Sequence, residues 1–176
     1  MPILKFSHFH TLRLTLILSF CLSSCAVSIK FNGANIDYST TKSISIADFP
    51  NNAAMVNPSL SNDLTEAVRS QFRKMTALEQ LDMDGDLEIN GAITGYDVKA
   101  SSIAAGDVAA QSRLTVTVKV DFTNRKYPEE DFTNKSFSAY ADFDSTNSLD
   151  AVESSLVAEI IEKLVEDIFN ATVAQW

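Results

Sequence analysis

Arg113-Leu114-Thr115-Val116-Thr117-Val118-Lys119-Val120-Asp121-Phe122 alternates apolar and polar residues without a break. A period of two is the pattern of a strand buried on one side only. Leu114, Val116, Val118, Val120 and Phe122 belong to a core; Arg113, Thr115, Thr117, Lys119 and Asp121 face water or a partner. Strands covered on one face are characteristic of antiparallel sheets, because parallel sheets are buried on both. Downstream, residues 124–131 with Pro128 read as a turn. The return strand, 132–143, sets Phe137, Ala139, Ala141 and Phe143 on one side and Tyr140 on the other. Upstream, the small polar residues 100–112 form a connection, and before them a strand over 86–98 lines up Leu87, Ile89, Gly91, Ile93 and Gly95. Two interior glycines predict a close approach or a bend. Tyr96 and Val98 fall on the opposite face unless a bulge intervenes.

Two helices flank these strands. Asn57-Pro58 is a start signal, an asparagine that can accept free backbone N–H groups followed by a proline tolerated in the first turn. Leu60, Leu64, Val68 and Phe72 then recur every fourth residue, predicting a helix over 58–76. Arg69, Arg73 and Lys74 sit in its last turns, where cations complement the helix dipole; a basic binding site is the other reading. The second helix starts at Asn147 or Ser148 and carries two adjacent apolar stripes. One is Val152, Leu156, Ile160, Leu164 and Ile168; the other is Val157, Ile161, Val165 and Phe169. Together they cover roughly 200° of the circumference, twice what one contact layer requires, so this helix is gripped from two sides. The sheet is one contact; the first helix or another protein is the second. Glu159 and Lys163 pair on its polar arc. A further strand, 43–49, precedes the first helix. The order β-α-β-β-β-α predicts an α+β two-layer sandwich, with both helices on one face of a four-stranded, mostly antiparallel sheet and the other face uncovered.

The N-terminal residues place the domain. Lys5 and Arg13 precede an apolar run, Leu14 to Leu22, and then Leu22-Ser23-Ser24-Cys25. This is the layout of a secretory leader ending in the motif that lipoprotein processing acylates and cuts, so residues 1–24 are read as signal peptide. Cys25 is the lipid attachment site, carrying acyl chains of the palmitate type. Residues 25–42 are a lipidated tether and 43–176 the folded domain. The alternatives are an ordinary signal peptide with a chance cysteine, or a buried cytosolic hairpin. Ala26 and Val27 carry no acidic sorting signal, so the anchor is expected in the periplasmic leaflet of the outer membrane.

Charge and composition narrow the chemistry. The chain has a formal net charge of −9; residues 1–24 hold two cations and no acid, so the processed chain stands at −11. Nucleic acid is not an expected partner. His8 and His10 both leave with the leader and Cys25 is consumed by acylation, which removes Ser-His-Asp, Cys-His and zinc chemistry. No cofactor is expected beyond the lipid, and no enzyme activity. Asp82, Asp84, Asp86 and Glu88 around Gly85 suggest a calcium loop, or the centre of a metal-dependent hydrolase. An EF-hand requires glycine sixth and glutamate twelfth, where this chain has Leu87 and Ile93, so the stretch is read as a polar turn and not as a metal site.

The stretches "ISIADFPNNAAMVNPSLS", "FRKMTAL", "DLEINGAITGYDV", "RLTVTVKVDFTN", "FSAYADF" and "LVEDIFN", in this order behind a lipobox cysteine, resemble the LptE-like lipopolysaccharide-assembly lipoproteins, in the form found in Bacteroidota-type bacteria. The resemblance covers residues 25–176. It implies an outer-membrane lipoprotein that plugs the lumen of the LptD β-barrel translocon, helps that barrel assemble, and takes part in moving lipopolysaccharide to the outer leaflet. Candidate partner or lipopolysaccharide contacts in this chain are Arg113, Thr117 and Lys119 on the uncovered face, and Arg125 and Lys126 in the turn. A periplasmic lipid-binding or adhesion lipoprotein working alone is the alternative; it predicts an acyl-sized apolar pocket between helices and sheet.

Overall fold

The computed structural model describes residues 35–55, 57–102 and 110–174. Cys25 and the leader lie outside them, as does most of the 100–112 connection. The elements run β1 (Ser43–Ile46), α1 (Leu60–Met75), β2 (Glu79–Leu81), β3 (Leu87–Ser102), β4 (Gln111–Asn124), a 3-10 turn (Pro128–Glu130), β5 (Phe132–Asp144) and α2 (Leu149–Thr172).

The sheet order is β2-β1-β3-β4-β5. This corrects the expected sheet twice: it has five strands, not four, and it is mixed rather than mostly antiparallel. β3, β4 and β5 form an antiparallel meander, whereas β1 pairs in parallel with both β2 and β3. Helix α1 returns the chain to the starting end, so the strand after it runs the same way as β1. The added strand, Glu79-Gln80-Leu81, has no apolar period, and only its backbone pairing with Ser43, Ile44 and Ser45 makes it a strand.

On β4 the alternation holds along its length, with Leu114, Val116, Val118 and Val120 wholly buried. On β3 it breaks. Ile93 is opposite Val118 but Gly95 is opposite Thr117, so Thr94 is an extra residue that reverses the parity. Gly95 thereby moves to the outer face and Tyr96 turns into the core at 3 % exposure. Gly91 meets the other half of the glycine expectation: a β-carbon there would lie 2.6 Å from the Phe49 ring, which packs flush on the strand.

Asn57 caps α1 as its sequence position suggests, its Oδ1 accepting the N–H groups of Ser59 (3.0 Å) and Leu60 (3.1 Å), although the regular helix begins only at Leu60. Arg69 is a brace rather than a ligand site: it donates to the Ile46 carbonyl at 2.8 Å and pairs with Asp48 at 3.0 Å, tying α1 to the end of β1. Arg73 donates to Gln80 Oε1 at 2.9 Å.

Both stripes of α2 are buried except for half-buried Val152. The second contact is α1, sealed by Phe72 packed edge-on against Phe169 with centroids 5.1 Å apart. Each such buried side chain stabilises the fold by about 1.5–3 kcal/mol. Leu60, Leu64, Ile160 and Leu164 have no exposed surface, so the layer between helices and sheet is filled. Among the described residues no helix is long and apolar enough to cross a membrane.

Candidate partner-binding face

Among the described residues no helix lies against the outer face of β3, β4 and β5. Its register sets Lys99, Arg113 and Asp142 in one row, Asp97, Thr115 and Tyr140 in the next, then Gly95, Thr117 and Ser138, then Ala92, Lys119 and Ser136. The Gly95–Thr117–Ser138 row is small and uncharged, and the rows on either side of it carry Asp97 and Lys119. Thr117 and Ser138 hydroxyls bond each other at 3.2 Å.

Arg113, a candidate contact, is paired within the protein. Its Nε and Nη2 donate to the two oxygens of Asp142 at 2.7 and 2.8 Å, and its guanidinium lies 3.6 Å from the Tyr140 ring centroid. Forked pairing of this kind fixes both partners in the plane. The Arg113 hydrogen bonds hold the Asp142 carboxyl below the usual carboxylate range. Tyr140, 48 % exposed, is thus a large aromatic packed beside the Arg113 guanidinium on this face. Lys119 is exposed and makes no ion pair or side-chain hydrogen bond among the described residues.

Arg125 and Lys126 lie at the opposite end of the strands from Arg113 and do not join this face's centre. Arg125 pairs with Asp84 at 2.9 Å and with Glu88; Lys126 pairs with Asp86 at 3.1 Å. Two candidate sites, a basic turn and an acidic turn, therefore neutralise each other. Asp86 also accepts the backbone N–H groups of Lys42 (2.8 Å) and Ser43 (3.2 Å), fastening the start of β1. The Lys42 N–H, with the Lys126 ammonium beside it, pushes the Asp86 carboxyl down to about 2. Among the described residues no three His, Cys, Asp or Glu side chains are grouped to hold a metal ion. Asp84, at a φ of 60°, and buried Gly85, which packs on the β1 backbone, make this a structural turn.

At the other end of the sheet Tyr96 donates to Glu153 of α2, linking strand to helix; burial, then that bond, raises the phenol above its ordinary value. Between α1 and α2, on their outer side, runs an open groove of about 530 Å³ floored by Val165, Phe169, Ala67 and Met75 and rimmed by Lys74 and Glu162.

Asp142 and Tyr140 are the residues that strand-by-strand reading leaves out of the site. Their signal is cross-strand: once the turn sets the register, Arg113 must meet Asp142.

The match that decides the family runs through this whole domain: the LptE family model, described as lipopolysaccharide-assembly, fits residues 41–172. The chain belongs to the LptE family. LptE proteins are outer-membrane lipoproteins without enzymatic activity. The match begins where the described chain enters β1 and ends with α2, so the fold just described is the LptE domain. No curated protein matches the sequence. Among solved structures, a hypothetical protein from Chlamydia trachomatis superposes with a TM-score of 0.52 at 6 % identity, over 77 % of this chain and 99 % of that one. A minor lipoprotein from Acinetobacter baumannii gives 0.47 at 14 % identity, over 74 % and 91 %. A putative neuraminyllactose-binding hemagglutinin homolog from Helicobacter pylori gives 0.49 at 9 %, over 74 % and 82 %. At 6 % identity the likeness to the Chlamydia trachomatis protein is one of fold alone.

Proposed function

We propose that this LptE-family chain is anchored in the periplasmic leaflet of the outer membrane through acylated Cys25 and docks in the lumen of an LptD-like β-barrel. There it supports barrel assembly and the passage of lipopolysaccharide to the outer leaflet. The observation that carries the reading is the family match across the entire folded domain, residues 41–172. Three features favour it. The processed chain has no histidine and no free thiol, in keeping with work done by shape rather than by bond chemistry. The outer sheet face is polar, with the small, uncharged Gly95–Thr117–Ser138 row near its centre, suited to lying close against a barrel wall. The lipid on Cys25 would hold the domain at the barrel's periplasmic mouth, each buried methylene contributing about 0.8 kcal/mol.

Thr117 and Lys119 are the proposed contacts on that face, with Tyr140 as an anchor. At −11 the processed chain does not attract lipopolysaccharide by its overall field, so any direct contact with the lipid falls to a local cation, and Lys119, exposed on the outer face with no ion pair among the described residues, is the proposed one. The stand-alone lipid-binding reading needs an acyl-sized space between helices and sheet, and the side chains that fill that layer argue against it. Affinity purification from outer membranes tests the proposal: a β-barrel of the LptD type should co-purify, and repeated recovery of this chain alone would overturn it.

A further inference from the structure

β5 is an edge strand of thirteen residues, long for an exposed edge, and among the described residues no strand pairs with its outer side. Such an edge invites strand addition from another chain. Three features of this one oppose it. Lys163 is rooted on α2, in the helix layer, yet its ammonium donates to the Tyr140 carbonyl at 2.9 Å and lies 5.7 Å from the Tyr140 ring on the opposite face. The side chain therefore passes around the edge of β5. In an antiparallel strand alternate residues present their backbone groups to the same side, so Tyr140 shares the free side with Ser138 and Asp142, and its carbonyl is the middle of that row. Glu159, 2.7 Å from Lys163, holds the ammonium in place. Lys135, of the same parity as core-facing Phe137, points toward the helix layer with its ammonium 4.7 Å from the Phe132 ring centroid. An inward-pointing charge near an edge makes pairing with a second sheet costly. Finally Asn134 adopts a φ of 53° and gives its N–H to Asp121, and the register shifts between Val120 and Phe122, so the strand is not straight at its start.

We infer that Lys163, supported by Lys135, closes the β5 edge to strand addition, so that a β-rich partner can meet this chain across the outer face but not by extending its sheet at β5. The inference rests on the geometry of β5 alone and stands whether or not the partner is a barrel. Sedimentation velocity on the full-length processed protein in detergent tests it, with backbone amide exchange read alongside. Wild type and Lys163→Arg, which keeps a donor at the edge, should remain monomeric. Lys163→Ala combined with Lys135→Thr should self-associate at least about tenfold more tightly, with slowed exchange at the Ser138, Tyr140 and Asp142 amides. Should the double variant melt early, the single Lys163→Ala variant carries the same readout. Monomeric behaviour of the alanine variants with unchanged exchange, association of Lys163→Arg to the same degree, or edge pairing by wild type would each overturn the inference.

Discussion

The two faces of the β3–β4–β5 meander are made from alternate residues of the same three strands, yet they are different kinds of surface. The inner face is crowded: Val116, Val118 and Val120 have no exposed surface, and the Phe49 ring presses on Gly91. The outer face is small along its Gly95–Thr117–Ser138 row, with paired charges toward the two ends, Arg113 with Asp142 and Arg125 with Glu88, and Lys119 without an ion pair among the described residues. Residues one position apart therefore differ in what they can be changed to. The difference teaches that along this meander the apolar residues go mainly to internal packing and leave a separate polar surface, the one proposed for contact.

The sharpest break in that contrast is Val118→Asp. It buries an unpaired charge and should cost more than about 4 kcal/mol, enough to abolish the cooperative melting transition seen by circular dichroism. Next comes the pair of glycines. Gly91→Ala should cost about 2–3 kcal/mol, because its β-carbon would meet both the Phe49 ring and the Lys119 carbonyl at under 3 Å. Gly95→Ala on the outer face, with Thr117 at 3.2 Å, should change stability by less than about 0.5 kcal/mol. Equal losses for the two would mean the faces are not distinct in packing.

Acid should then act on the pairs at the rim before it acts on the core. Asp86 ionises at a lower pH folded than unfolded, so it contributes stability above its unfolded value near 3.8 that is lost as pH falls through about 2. Because the group is near solvent, the loss between pH 4 and pH 2 should be about 1 kcal/mol, and Asp86→Asn should lack it in a urea titration series. Smallest in stability is Thr117→Asp, with a shift under about 0.5 kcal/mol; its effect belongs to partner binding.

Much of this was legible in the chain. The unbroken alternation of residues 113–122 dictates which β4 residues are core, and the double stripe of α2 requires a second contact, which α1 supplies through Phe72. What stayed hidden was set by geometry between distant segments. Nothing in Glu79-Gln80-Leu81 signals a strand, since its role is backbone pairing alone, and one-sided alternation in β1 carries no information on direction. The bulge at Thr94 leaves no mark beyond the glycine next to it, yet it moves Tyr96 from the outer face to the core. Three of the four candidate cations have acidic partners that single segments do not reveal. Arg125 and Lys126 meet acids some forty residues earlier in the chain, and Arg113 meets one 29 residues later, pairings that appear only when the strands are placed in register.

The measurement that bears most directly on the outer face as the contact surface is photocrosslinking in intact outer membranes. A photoreactive residue at position 117 is compared with one at Glu166 on the exposed arc of α2. Position 117 should trap a β-barrel of the LptD type in high yield and position 166 little or none. A silent position 117, or equal yields from both, would contradict the account.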